Sequence, residues 1–204
     1  ILKGQGKLKE AEISTRKAIQ LNPDFADAYS NLGVILKDLG NLQEAETSSR
    51  KAIELNPNFA IAHYNLGLTL RDLGNLQEAE VSSRKAIELN PNVAEAHSNL
   101  GSILKDLGNL QEAEVSTRKA IELKPDLAMT HYNLGSILKD LGNLQEAEIS
   151  TRKAIEIKPD FAGAYLNLGN ILSDLGKSQD AELSYRKAIE LKPDYTDVHL
   201  NLGG

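Results

Sequence analysis

Apolar and small residues fall along this chain in a rhythm that repeats from end to end. Over residues 26–39, Tyr29, Leu32, Gly33, Leu36 and Leu39 stand at i, i+3, i+4, i+7 and i+10. That spacing gathers them on one side of an α-helix. Leu42, Ala45, Ala52, Ile53 and Leu55 form a second helical stripe just downstream. Gly40 lies between the two and is predicted to end the first helix, because glycine takes the left-handed conformation at little cost. Pro57 forces a stop after the second. Asp24 is placed to cap the first helix, and Asn41 the second, with Glu44 three residues on as in a capping box. The expected unit is a hairpin of two antiparallel helices.

The hairpin recurs. All six prolines, Pro23, Pro57, Pro91, Pro125, Pro159 and Pro193, are spaced by 34 residues. Two glycine series keep the same step, one through Gly6, Gly40, Gly74, Gly108, Gly142 and Gly176, the other from Gly33 to Gly203. The segments Ile35–Glu46, Ile103–Glu114 and Ile137–Glu148 are identical. Full units are therefore read at 26–59, 60–93, 94–127, 128–161 and 162–195, with part of a unit at 1–25 and the start of another at 196–204. The whole of 1–204 is expected to be one all-α array. A lone hairpin buries only part of its apolar surface, and stacked neighbours bury the rest. Small residues such as Gly33, Ala45 and Ala52 mark where helices must come close.

Tyr29, Leu32, Gly33, Ala45, Ala52 and Pro57, repeated through the chain, resemble the tetratricopeptide repeat family. The array is also similar to the superhelical part of O-linked N-acetylglucosamine transferases and to many bacterial repeat proteins. The resemblance implies a right-handed superhelical solenoid of 34-residue antiparallel helix hairpins. It also implies a concave groove, lined by the first helix of each unit, that binds peptides or partner proteins. Two departures leave the superhelix pitch open. The family has a bulky aromatic where Ser49, Ser83, Thr117 and Thr151 stand, and only Tyr185 fits. It has an apolar residue where Glu46, Glu80 and Glu114 stand, while apolar weight appears instead in Leu39 and Val81 and their equivalents.

Asn31, Asn65, Asn99, Asn133, Asn167 and Asn201 each follow their proline by eight residues. Asparagine is a mediocre residue inside a helix. A side-chain amide both donates and accepts, so a row of them can grip a peptide backbone without reading its sequence. Neighbouring helices lie about 8–10 Å apart, and an extended peptide advances about 3.3 Å per residue, so one asparagine would serve roughly every third peptide residue. The resemblance supports that use; the competing reading has each amide bonding to neighbouring repeats. Lys37, Arg71, Lys105 and Lys139 follow on the same helices and would meet an acidic ligand if they edge the groove. Each stands beside an Asp, and the plainer reading is a cation near a helix C-terminus. Ser30, Tyr64, Ser98, Tyr132 and Leu166, and then Val34, Leu68, Ser102, Ser136 and Asn170, vary between otherwise uniform units. Partner specificity would be written there. The two-carboxylate clamp of some family members is absent, since Asp27, Ile61, Glu95, Met129 and Gly163 occupy its early-turn places.

Composition narrows the function further. The net charge is −6, and a nucleic-acid binder ordinarily shows a basic footprint. With no cysteine, disulfides, thiolate nucleophiles and cysteine-based metal sites are excluded, and a cytoplasmic setting is expected. No apolar run approaches the ~20 residues of a membrane helix. His63, His97, His131 and His199 occupy the packing position of Tyr29 and are expected to be core rings, not ligands. Glu46 and Arg50, at i and i+4, read as surface helix support. No catalytic constellation, metal site or cofactor site occurs. The expected function is a protein–protein interaction scaffold, not an enzyme. Two other readings stand beside it: the substrate-recruiting region of a larger transferase, and a self-stacking module joined end to end through stripes such as Leu200–Leu202. The chain begins at Ile1 and is expected to be a piece of something longer.

Overall fold

The structure, a computed structural model, describes residues 2–193. Asp194, His199, Leu200, Asn201, Leu202 and Gly203 lie outside the described residues. All regular structure among the described residues is helical: α1 (Leu2–Leu21), α2 (Ala26–Asp38), α3 (Leu42–Leu55), α4 (Ala60–Asp72), α5 (Leu76–Leu89), α6 (Ala94–Asp106), α7 (Leu110–Leu123), α8 (Ala128–Asp140), α9 (Leu144–Ile157), α10 (Ala162–Asp174) and α11 (Ser178–Leu191). The even-numbered helices open the hairpins and the odd-numbered ones close them. The chain forms two compact units, Ile1–Leu107 with α1–α6 and Gly108–Gly204 with α7–α11. Each is an all-α stack of antiparallel helix hairpins.

The first helix of each hairpin stops as the glycines require. Gly40 has φ +83°, and Gly74, Gly108, Gly142 and Gly176 share that left-handed conformation. Around it the Gly40 N–H donates to the Lys37 carbonyl at 2.9 Å and the Asn41 N–H to the Leu36 carbonyl at 2.8 Å. This pair of bonds is the Schellman closure, which satisfies carbonyls the helix end would orphan. Gly6 departs from its series: it lies inside α1 without a positive φ.

The predicted caps do not form. Neither Phe25, at the N-cap of α2, nor Asn41, at that of α3, makes a side-chain cap bond. Asp24 is outside the helix. Its own N–H donates to Asn22 Oδ1 at 3.3 Å, and Asn58 and Asn92 repeat this with Asn56 and Asn90. The asparagine before the proline thus closes a local turn of the kind its short side chain favours.

Each hairpin closes on its small residues. A Cβ built on Gly33 would lie 2.6 Å from Ser49 Oγ and 3.2 Å from the Ala45 carbonyl, with Gly67 placed alike against Ser83 and Ala79. The serine that departs from the family's aromatic is therefore wholly buried at the closest approach of two helices. In the hairpin of α10 and α11, the Tyr185 ring takes the same place against Gly169. Leu36, Leu70, Leu138 and Leu172 fill the space beside them.

Between hairpins, Ile103 packs on Leu66, Leu70 and Ala79 in the first unit, and Ile171 on Leu134, Leu138 and Ala147 in the second. Val81 does not carry displaced core weight as expected, nor do its equivalents Val115, Ile149 and Leu183, which are all exposed. They sit on the side of the second helix away from Ala79, Ala113, Ala147 and Ala181, with Val81 and Ile149 at the rim of the clefts between closing helices.

Candidate partner-binding face

In the first unit α2 packs directly on α4, and α4 on α6; in the second, α8 packs on α10. The closing helices meet chiefly through long side chains. Arg50 Nη2 donates to Glu78 Oε2 at 2.6 Å while its Nε holds Glu46 at 2.8 Å. Arg118 repeats this with Glu146 and Glu114. The Glu46–Arg50 pair expected from spacing thus also ties one hairpin to the next. The opening helices consequently form the inner face of each unit, and the sequence-predicted residues lie along it.

The asparagine row is mostly buried. Asn65, Asn99 and Asn167 are 8%, 5% and 9% exposed. Asn65 Nδ2 donates to Ser30 Oγ at 3.0 Å, Asn99 Nδ2 to Ser83 Oγ at 3.1 Å, and Asn167 Nδ2 to Thr151 Oγ1 at 3.3 Å. Each bond reaches from one hairpin to the one before it. Asn31 is exposed. Asn133 is half-buried.

The cations run along the same face. Lys37 Nζ lies 3.8 Å from Asp72 and 3.6 Å from Asp38, and Lys139 Nζ 3.8 Å from Asp174. Arg71 Nη1 donates to Asn99 Oδ1 at 3.2 Å, with Nη2 3.8 Å from Asp72. Lys105 is half-buried. This is a line of mixed charge bridging opening helices, not a basic groove.

On α4, Ile61, Tyr64, Leu68 and Arg71 fall at i, i+3, i+7 and i+10, one stripe of the helix. Ile61 is exposed and the other three half-buried. Burial pushes the Tyr64 phenol pKa up, Glu95 adds to the rise, and Arg71 opposes it. The same stripe on α6 carries Glu95, Ser98, Ser102 and Lys105, and on α8 Met129, Tyr132, Ser136 and Lys139. These are the positions that vary between units.

The family model described as tetratricopeptide repeat matches residues 26–59, 60–93, 94–127, 128–161 and 162–195, and a model described as TPR repeat matches residues 1–40. The chain belongs to the tetratricopeptide repeat family. As a member it is a protein–protein interaction scaffold. Comparison with curated protein sequences finds no match. Among solved structures it is similar to YrrB, described as a TPR protein with an unusual peptide-binding site. The TM-score is 0.70 at 26% identity, over 92% of this chain and 96% of that one. It is similar to MamA, TM-score 0.70 at 28% identity, over 81% and 97%. In fold it is also similar to a thermophilic TPR protein of Thermus thermophilus, TM-score 0.71 at 24% identity, over 86% and 96%.

The hydroxyls were the part of this tetratricopeptide face that sequence reasoning missed. Ser83 and Thr151 stand where the family has an aromatic, sixteen residues before a recurring asparagine. A small polar residue in an aromatic's place, in register with a buried amide, was the available signal. The histidines also gain a partner: in His63, His97 and His131, Nε2 donates to the carbonyl of the proline six residues earlier at 2.8–2.9 Å. Among the described residues no three His, Asp or Glu converge as metal ligands. No helix there is long and apolar enough to cross a membrane.

Ser49 breaks the pattern. Asn65 turns to Ser30, and Ser49 Oγ is buried with no hydrogen-bond partner. Ser83→Ala is expected to cost about 1–3 kcal/mol, because it leaves the buried Asn99 amide unsatisfied. Ser49→Ala removes an oxygen that bonds nothing and is expected to stay within about 0.5 kcal/mol of the parent. Chemical unfolding of the two variants side by side measures the difference; equal losses would show that Ser49 Oγ has a partner after all.

Proposed function

We propose that the inner face of the opening helices binds an extended segment of a partner protein. In the first unit the contact stripe runs through Ile61, Tyr64, Leu68 and Arg71. The observation that carries this reading is that this stripe stays partly exposed along α4, while Ala62, Asn65, Leu66, Gly67, Thr69 and Leu70 are buried and His63 on the opposite side is engaged with the Pro57 carbonyl. It offers apolar area, a phenol and a guanidinium already oriented by Asn99. Tyrosine and arginine are the residues that most often anchor interfaces. The unusual peptide-binding site ascribed to the similar YrrB agrees with a peptide ligand.

The asparagine row enters this proposal in a supporting role. Asn65, Asn99 and Asn167 use their amides first to hold neighbouring hairpins together. The Asn65 and Asn167 carbonyl oxygens then remain for peptide N–H groups, while that of Asn99 already accepts from Arg71; Asn31 continues the row in the first unit and Asn133 in the second. Lys37, Arg71 and Lys105 line its edge in the first unit and Lys139 in the second, each near an Asp, so each face suits a peptide of mixed charge.

Selection of random peptides from a display library against the whole chain tests this. Leu68→Asp and Tyr64→Ala are each expected to weaken the selected peptides by about tenfold or more, or about 1.4 kcal/mol, with helicity unchanged. An outer-face change, Val81→Asp, is expected to leave them bound. The opposite ranking would move the binding site to the outer face.

A further inference from the structure

Val115, Ile149 and Leu183 sit at one equivalent position on α7, α9 and α11, and they are 68%, 68% and 66% exposed. Each points away from the core. In the first unit Thr47 interrupts the corresponding row, so the continuous stripe belongs to the second unit. Ile149 also walls a cleft of about 470 Å³ between α7 and α9, whose apolar surface comes from Ile121 and Leu134. The outer face therefore carries both an apolar projection and an apolar recess beside it.

We infer that this outer face of the second unit is an interface between two copies of the chain, related by a two-fold axis near Ile149. An isologous contact must be complementary to itself, and a projection beside a recess meets that demand: the Ile149 of each copy enters the cleft of the other. The charges meet it too. A two-fold axis lays α9 antiparallel to its own copy. Centred on Ile149, it sets Glu146 in the acidic first turn opposite Arg152 of the second copy, each keeping its own partner, Arg118 and Glu148, and Gln145 opposite Lys153. The parallel arrangement would set like charges together.

The size agrees with a dimer that forms at high concentration. Three helices side by side at about 9 Å, each of fourteen residues rising about 1.5 Å per residue, present roughly 600 Å² per copy. That is the low end of specific interfaces, where transient association is found. The face lies away from the inner stripe, so the inference does not rest on the peptide-binding proposal.

Sedimentation velocity on the whole chain from micromolar to millimolar concentration is the test. A concentration-dependent dimer is expected. Ile149→Asp replaces an exposed side chain and leaves helicity unchanged; it is expected to weaken the dimer by about tenfold or more. Gln145→Lys sets like charges against Lys153 of the second copy and is expected to weaken the dimer, and Gln145→Glu to strengthen it, which altered folding alone would not do. A parent chain that stays monomeric throughout overturns the inference. So does a dimer unaffected by Ile149→Asp, which would assign association to the ends of the array or to the inner face.

Discussion

Gly67→Ala is expected to destabilise the first unit by about 2–3 kcal/mol. Alanine is the better helix former by about 1 kcal/mol, so propensity alone predicts a gain. Packing reverses it. The new Cβ would lie 2.5 Å from Ser83 Oγ, 3.3 Å from the Ala79 carbonyl and 3.4 Å from the Ser83 nitrogen. The hydroxyl must turn aside, and the tight contact with the Ala79 carbonyl is backbone, so α4 and α5 must also give slightly. Overpacking of this kind costs about 1–3 kcal/mol. Turning Ser83 aside also removes the acceptor of the buried Asn99 amide, which adds to the loss. Gly74→Ala is the control. Gly74 has φ +80° and nothing within 4 Å of an added Cβ, so it meets only the left-handed strain, about 1–2 kcal/mol. Thermal or chemical unfolding ranks the two, and a smaller loss at Gly67 would show that α4 and α5 can move apart freely.

Sequence and structure part company at particular residues for physical reasons. Helix stops were legible because Gly40 and Pro57 act through backbone geometry that neighbours do not alter. Helix starts were misread at Asp24 and Asn41, because a cap depends on where the helix begins and where a short side chain points: α2 takes Phe25 as its N-cap, one residue past Asp24, and Asn41 at the N-cap of α3 makes no side-chain bond. The core stripe through Leu32, Gly33 and Leu36 was legible from period alone. Val81 was not, since hydropathy says that a residue is apolar without saying which side of the helix meets a neighbour. The asparagine row could be found from recurrence, but its burial could not. That depends on Ser30, Ser83 and Thr151, which approach the amides only once hairpins stack.

The largest single loss is expected at the junction between hairpins. Ile103 is fully buried against Leu66, Leu70 and Ala79, so the side chain of one hairpin closes the core of the one before it. Ile103→Ala is expected to cost about 2–5 kcal/mol from lost burial and the cavity left behind. The consequence exceeds the local number. A repeat array gains much of its stability from nearest-neighbour contacts, so a broken junction lets neighbouring hairpins unfold separately and broadens the transition. Thr69 provides the comparison, because it occupies the same place one hairpin earlier and is equally buried. Its Oγ1 donates to the Asn65 carbonyl at 3.0 Å in its own helix, so it closes that core with one methyl group where Ile103 supplies a longer branched chain. Thr69→Ala is accordingly expected to cost about 1–2 kcal/mol. Urea unfolding followed by circular dichroism reports both midpoint and slope. If Ile103→Ala lowers the midpoint no more than Thr69→Ala and leaves the slope intact, stability does not pass through the isoleucine junction but through the Arg50–Glu78 type of bridge between closing helices. Those bridges are exposed, and exposed ion pairs contribute about 0–1 kcal/mol each, which is why the buried junction is expected to dominate.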